Sequence, residues 1–165
     1  MFEILFWTGC RIGEALALTK EDIDFNSNQL HISKTYYRIN GKDIITTPKT
    51  EQSVRTIDIP EFLKEEIQEY TNRLYGYTKK ERLFPVVAEA VQHKMKRNME
   101  KADVKKIRVH DLRHSHVAYL IHQGVQPLII KERLGHRDIK ITLNIYGHLY
   151  PSEQRKVAEM LNMNR

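Results

Sequence analysis

The chain has 165 residues, a length that suits one domain with a sizeable hydrophobic core. It is basic, with 27 lysines and arginines against 21 acidic residues, and this balance favours a polyanionic partner. Its single cysteine, Cys10, excludes an internal disulfide framework, fits a reducing compartment and is expected to be a small buried hydrophobe. No apolar run approaches the ~20 residues of a membrane span, so no membrane partner is expected.

The N-terminal half mixes helical and strand patterns. Residues 2–7 are typical of the last turns of a buried helix that has no N-cap, so we expect the chain to be a fragment of a longer protein. Helical spacing continues over 11–19. Alternation then predicts strands at 29–33, 35–40, 43–47 and 54–59. Asn40-Gly41 is a turn signal, and Pro60 is expected to begin a helix that runs to about residue 74.

The C-terminal half is predicted to be helical. The expected helices cover 86–101, 110–123, 127–134, a segment capped by Asp138, and 151–162. Gly124 and Gly135 follow two of these helices, as helix-ending glycines commonly do. The whole pattern predicts an α+β fold that is mainly α-helical, with one small antiparallel β-sheet.

Most of the net positive charge lies between residues 94 and 113. This segment holds eight lysines and arginines and three acidic residues, which gives +5 of the overall +6. Lys94, Arg97 and Lys101 fall on one face of the predicted helix, away from its apolar stripe. Charge alone leaves open whether that face is solvated or contacts a polyanion.

Four short motifs hold the residues that can carry chemistry. They are Arg11 and Glu14 in TGCRIGE, Lys49 in PKT, His110, Asp111 and Arg113 in HDLR, and His136 in LGH, ten residues before Tyr146. A phenol is a poor nucleophile unless the site stabilises its anion, and arginines do this best beside a phosphate. Each motif alone is weak evidence, but all four in this order indicate attack on a phosphodiester.

The four motifs resemble those of the tyrosine recombinases, the phage integrase family, from Phe2 to about Leu149. The resemblance implies that residues 1–165 are a catalytic domain truncated at its N-terminus, with 151–165 as a C-terminal helix and tail. The implied function is site-specific DNA recombination or integration for a phage or mobile element, in the cytoplasm of a prokaryote. The resemblance also implies that DNA is cleaved and rejoined through a 3′-phosphotyrosine intermediate, without a metal, ATP or another cofactor.

The resemblance also implies which side chains act on the phosphate. Tyr146 is the nucleophile, with Tyr150 as its competitor. Arg11 and Arg113 hold the non-bridging oxygens. His136 donates a hydrogen bond to one of the same oxygens. Because an unpaired guanidinium in apolar surroundings is costly, Glu14 is expected to pair with Arg11 across one helical turn.

Proton transfer is assigned to two further side chains. His110 handles the proton of the tyrosine or contacts the phosphate. Lys49, on a β-hairpin, protonates the departing 5′ oxygen, although other hairpin lysines are rivals for this role. Asp111 is expected to support the start of the helix through the helix dipole.

Double-stranded DNA is the implied partner, with Lys94, Arg97 and Lys101 as phosphate contacts. The family implies a homotetramer on DNA, and the isolated chain is expected to be a monomer. Two alternatives stay open, DNA relaxation of the type IB topoisomerase kind and a DNA-binding regulator that has lost catalysis. A metal site at His110 and His114 is disfavoured, because no carboxylate or cysteine completes a ligand set.

Overall fold

The computed structural model describes residues 1–48, 50–150 and 154–163. The helices are α1 (Phe2–Thr8), α2 (Ile12–Ala17), α3 (Glu61–Asn72), α4 (Ala88–Lys101), α5 (Asp111–His122), α6 (Pro127–Leu134), α7 (Ile139–Tyr146) and α8 (Gln154–Met163). The strands are β1 (Ile23–Asp24), β2 (Gln29–Ile32), β3 (Thr35–Ile39), β4 (Lys42–Thr46) and β5 (Arg55–Asp58). The predicted class, mainly helical with small antiparallel β-structure, is confirmed. Within the described ranges, no helix is long and apolar enough to cross a membrane.

The β-structure is divided into two antiparallel sheets, whereas the sequence predicts one. One sheet has the order β1-β2-β5, and the other is the hairpin β3-β4. Leu30 on β2 pairs with Ile57 on β5, and both side chains are buried, so burial selects this long-range pairing. The hairpin turns at Asn40 and Gly41, whose φ angles of 50° and 76° suit a tight primed turn. The hairpin is therefore an insertion between two strands of the three-stranded sheet.

Two hydrophobic clusters form the interior. The larger includes residues of α1 to α4 and of the three-stranded sheet, and it contains Cys10. Burial raises the pKa of the Cys10 thiol to about 11, which fits the role of a buried hydrophobe. The smaller cluster lies between α5, α6 and α7 and consists of Val117, Ile121, Ile130, Leu134 and Tyr146. The tyrosine singled out by the sequence is therefore part of a packed core.

The short turn that holds His136 is fixed at both ends. Gly135 ends α6 with a φ of 66°, and a Cβ added there would lie 2.9 Å from the carbonyl oxygen of Gln52. The Asp138 side chain accepts a hydrogen bond from the Lys140 amide at 2.9 Å and caps α7. Both ends follow the signals predicted from the sequence.

The final helix, α8, has exposed apolar side chains. Val157, Met160 and Leu161 are 44%, 55% and 62% exposed. The sequence predicts that this helix begins at residue 151, but 151–153 lie outside the described residues. The amphipathic pattern of the sequence is therefore present in α8, with its apolar residues accessible.

Candidate active site

The Arg11 side chain is fixed at one end by a carboxylate. Arg11 immediately precedes α2, and its Nη1 donates to Glu14 Oε1 at 2.9 Å, while its backbone N–H donates to Oε2 at 2.8 Å. This is the pairing across one turn that the sequence suggests. The Arg11 side chain remains 43% exposed, so part of its fork is accessible to a ligand.

A second arginine, Arg55 on β5, holds the other side of the Glu14 carboxylate. Its Nη2 donates to Oε2 at 2.9 Å, and its Nε donates to the carbonyl oxygen of Arg133 at 2.8 Å. Burial would raise the pKa of Glu14, but the hydrogen bonds and charges of Arg55 and Arg11 outweigh it and lower the pKa. Glu14 is thus ionised and orients both guanidinium groups. Sequence spacing gave no signal for this contact, because Arg55 is 41 positions from Glu14.

Arg113 lies at the centre of the site and is nearly inaccessible to solvent. Its Nη1 donates to the Gly9 carbonyl at 2.6 Å, and its Nη2 donates to the Leu134 carbonyl at 2.8 Å and to His136 Nε2 at 3.0 Å. The C-terminal ends of α1 and α6, with their unpaired carbonyl groups, therefore converge on one guanidinium. Burial, followed by the nearby charge of Arg11, lowers the pKa of Arg113 to about 10, so it remains charged at neutral pH.

His136 is a neutral hydrogen-bond acceptor toward Arg113. Since a guanidinium only donates, Nε2 of His136 must accept, and the ring proton is assigned to Nδ1, which lies 2.9 Å from Thr142 Oγ1. Burial, followed by the charge of Arg113, lowers the pKa of His136 to about 4, in keeping with a neutral ring. The sequence analysis predicts that the His136 imidazole donates a hydrogen bond to a phosphate oxygen. In the structure Nε2 faces Arg113, so a donor role at Nε2 requires a second proton or the other tautomer.

Tyr146 ends α7 and is 5% exposed. Its Oη lies 2.6 Å from Nδ1 of His114 on α5. Burial raises the pKa of the Tyr146 hydroxyl, and the charge of Arg113 offsets this only in part, so the phenol is protonated at neutral pH. Sequence reasoning considered His114 only as a metal ligand. The available signal was its position four residues after His110, which places both rings on one helix face.

His110 and Asp111 occupy the start of α5. The His110 ring meets the His114 ring edge-on, with centroids 5.0 Å apart, and burial followed by the charge of His114 lowers the pKa of His110. The Asp111 carboxylate accepts hydrogen bonds from the side chain and amide of Arg108, which lower its pKa to about 2. Across residues 1–48, 50–150 and 154–163, no group of three or more His, Cys, Asp or Glu side chains could hold a metal ion.

A cleft of about 780 Å³ opens beside His110, between α4 and the loop before α5. We call it the His110 cleft. Its cationic side chains are Lys96, Lys106 and Arg108, and Gln92 also lines it. A polyanion lying in this cleft would reach the first turn of α5 directly.

The basic face predicted from the sequence lies on another side of α4. Lys94 lines a separate apolar depression with Phe2 and Tyr70, and Arg97 and Lys101 follow Lys94 at helical spacing. The proposed acid, Lys49, lies outside the described residues. The structure therefore brings together Arg11, His110, Arg113, His136 and Tyr146, and it places the predicted DNA contacts away from the His110 cleft.

A further, partly buried arginine contacts the site through His116. Arg133, near the end of α6, donates from Nη2 to the Trp7 carbonyl at 2.8 Å, from Nη1 to the Asp58 carbonyl at 3.0 Å and from Nε to His116 Nε2 at 3.1 Å. Burial, followed by the charges of Arg133 and Arg113, lowers the pKa of His116 to about 3, so this ring is neutral. The contacts join α1, β5, α5 and α6, and sequence reasoning did not identify them.

The sequence matches the model of the phage integrase family over residues 1–153. The chain belongs to the phage integrase family. It is 38% identical over 176 residues to the ICEBs1 integrase of Bacillus subtilis (strain 168), covering 98% of this chain and 47% of that protein. It is 30% identical to a XerC-like tyrosine recombinase of Caldanaerobacter subterraneus subsp. tengcongensis, covering 98% and 48%. This phage integrase family member thus spans about half the length of the curated relatives it matches. The family that the four motifs predict is confirmed.

Solved structures of the phage integrase family share this architecture. The Tn1549 transposon integrase (residues 82–397), in complex with circular intermediate DNA, is 26% identical, with a TM-score of 0.82 over 98% of this chain and 58% of that one. The catalytic domain of bacteriophage HP1 integrase has the same fold, with a TM-score of 0.63 at 22% identity over 98% and 79% of the two chains. The helices and sheets described above therefore have the fold of these solved structures.

Proposed function

We propose that this chain is the catalytic part of a site-specific DNA recombinase that cleaves and rejoins DNA through a phosphotyrosine at Tyr146. The observation that carries the proposal is the cluster of Tyr146, Arg113 and His136, which three different elements bring together beside Arg11. Arg113 is held by three hydrogen bonds to groups of the protein itself, which is the preorganisation that charge stabilisation requires. Family membership and the DNA complex of the Tn1549 integrase support double-stranded DNA as the substrate.

Attack by Tyr146 on phosphorus places additional negative charge on the non-bridging oxygens. A guanidinium has five N–H groups, three of those of Arg113 donate to described residues, and the other two, which have no partner among those residues, are proposed to donate to a phosphate. The partly exposed Arg11 supplies a second charged fork. We retain Lys49 as the proposed acid that protonates the 5′ oxygen, and His110, which lines the cleft, as a proposed phosphate contact.

We propose further that the protein is a monomer alone and a homotetramer on DNA, with α8 packed on a neighbouring protomer. The exposure of Val157 and Leu161 supports a docking role for this helix. We also propose that residues 1–165 form one catalytic domain, with residues 151–165 as its C-terminal helix and tail.

Mixing two duplexes of different lengths, each carrying the site at which the element inserts, tests this function. The expected result is a pair of exchanged junctions in the presence of a chelator and without ATP, together with a denaturation-resistant protein–DNA adduct on a nicked site. Relaxation of a supercoiled plasmid without exchanged junctions would assign the chain to the type IB topoisomerase kind of activity. Binding without any adduct would identify a non-catalytic regulator.

We expect the His110 cleft, more than the opposite face of α4, to contact DNA phosphates. Two matched variants separate the faces: Lys96→Gln with Lys106→Gln in the cleft, and Lys94→Gln with Lys101→Gln on the other face. Each phosphate contact that is lost should reduce the slope of log affinity against log salt by about 1. We expect this flattening in the cleft variant, measured by fluorescence anisotropy over a salt series. If only the Lys94 and Lys101 variant flattens the slope of log affinity against log salt, the DNA contacts lie on the face of α4 predicted from the sequence.

A further inference from the structure

The hydroxyl of Tyr146 is held by a side chain that the mechanism above does not use. His114 Nδ1 lies 2.6 Å from Oη, and the two rings are tilted by 54° with their centroids 5.6 Å apart. The residues are 32 positions apart and lie on α5 and α7, so tertiary packing creates the contact. The rest of the Tyr146 side chain packs in the smaller hydrophobic cluster. His114 is therefore the polar group placed at the reacting atom.

A buried phenol needs a proton acceptor when it attacks. Burial raises the pKa of Tyr146, and the charge of Arg113 offsets this only in part, so Oη is protonated at neutral pH. Attack on phosphorus requires that this proton leave, and imidazole is the side chain suited to accept it near neutral pH. With its own proton on Nε2, His114 presents the Nδ1 lone pair to the Tyr146 hydroxyl, a tautomer that we assign from this geometry.

Two further titratable groups of α5, Asp111 and His110, lie beside His114. Asp111, one turn earlier on α5, is ionised because Arg108 lowers its pKa to about 2, and it interacts with the charge of His114. His110 faces His114 edge-on from the same helix, and burial followed by the charge of His114 lowers the pKa of His110. His110, His114 and the Tyr146 side chain of α7 thus lie together.

We propose that His114 is the general base for Tyr146, and this proposal rests on the proposed function. In cleavage, the Oη proton moves to His114 Nδ1, the Oη–phosphorus bond forms, and the bond from phosphorus to the 5′ oxygen breaks. The electron pair of that bond goes to the 5′ oxygen, which takes a proton from the proposed acid, Lys49. In rejoining, a 5′-hydroxyl gives its proton to Lys49 and attacks phosphorus, the Oη–phosphorus bond breaks, and the departing Oη takes its proton back from His114.

The test uses a substrate in which the leaving group needs no proton. A duplex with a 5′-bridging phosphorothiolate releases a thiolate, so the pH dependence of single-turnover adduct formation reports the tyrosine proton. His114→Gln can still accept a hydrogen bond from Oη but cannot act as a base. His122→Gln, at the exposed end of the same helix, is the matched control, and Tyr146→Phe defines the background.

At neutral pH, His114→Gln is expected to form adduct about 10²-fold more slowly than wild type, with similar DNA affinity and thermal stability. Its rate should rise about tenfold per pH unit where the wild-type rate has levelled off, because hydroxide then removes the proton. The control should match wild type. If His114→Gln forms adduct at the wild-type rate, or if its rate is lower than that of wild type by the same factor at every pH, His114 is not the base. A factor that is constant across pH would indicate a structural role for His114. If wild type forms no adduct, or if the adduct persists in Tyr146→Phe, the proposed function itself fails.

Discussion

Replacing Tyr146 with phenylalanine is expected to reduce covalent attachment to DNA to the background of the assay, while DNA affinity stays nearly unchanged. The substitution removes only the attacking oxygen, and the ring can still pack with Ile121 and Leu134 in the smaller cluster. The lost hydrogen bond to His114 should cost about 1 kcal/mol of stability, too little to unfold the domain. A nicked duplex that traps the adduct on a denaturing gel measures the first effect, and a mobility-shift titration measures the second.

Tyr150→Phe is the matched control. Tyr150 packs against the same cluster, and its hydroxyl lies 3.5 Å from the Val125 carbonyl, away from His114. We expect this variant to form adduct at the wild-type rate. An adduct that survives in Tyr146→Phe and disappears in Tyr150→Phe would make Tyr150 the nucleophile.

Arg113→Lys is expected to lower the single-turnover cleavage rate by about 10²- to 10³-fold, the effect of losing a fixed donor to a developing anion. Lysine keeps the charge, but a single ammonium cannot bind the Gly9 and Leu134 carbonyls and also present a fork to a phosphate. The free energy of unfolding should also fall, because two buried carbonyl groups lose their donors. The rate is therefore measured below the onset of unfolding, which a denaturant titration of each variant defines.

Arg133→Lys separates the chemical effect from the structural one. Arg133 is also a partly buried guanidinium that joins the carbonyl groups of distant elements, at Trp7 and Asp58. We expect this variant to lose stability but to cleave at a rate of the same order of magnitude as wild type. If Arg133→Lys lowers the cleavage rate as much as Arg113→Lys does, the loss of rate arises from a displacement of α6 and not from the loss of the Arg113 guanidinium. Near-wild-type cleavage by Arg113→Lys would remove Arg113 from the reaction.

The parts of the site that depend on sequence neighbours could be predicted. The turn at Gly135, the cap at Asp138 and the pairing of Arg11 with Glu14 each arise within a few residues, so residue type and spacing are sufficient. Likewise, α6 begins and ends where Pro127 and Gly135 predict.

The rest depends on how distant elements pack, which spacing does not determine. Arg55 reaches Glu14, and His114 reaches Tyr146, only because β5 and α7 dock where they do. Alternation identified strands but not their partners, so the division into two sheets was not predicted. The sequence of α4 has cations on both sides, and only its docking shows that Lys96 faces the His110 cleft.

The clamp around Arg113 links catalysis to completion of the fold. Its hydrogen bond to Gly9 spans 104 positions, and the bond from Arg133 to Trp7 spans 126. Contacts at such separations require the long intervening chain to be ordered. A partly synthesised or partly unfolded chain can therefore retain the basic helix α4 without a working phosphate site. Under the proposed function, strand cleavage is thus expected only of completely folded molecules, which protects the DNA of the cell from incomplete ones.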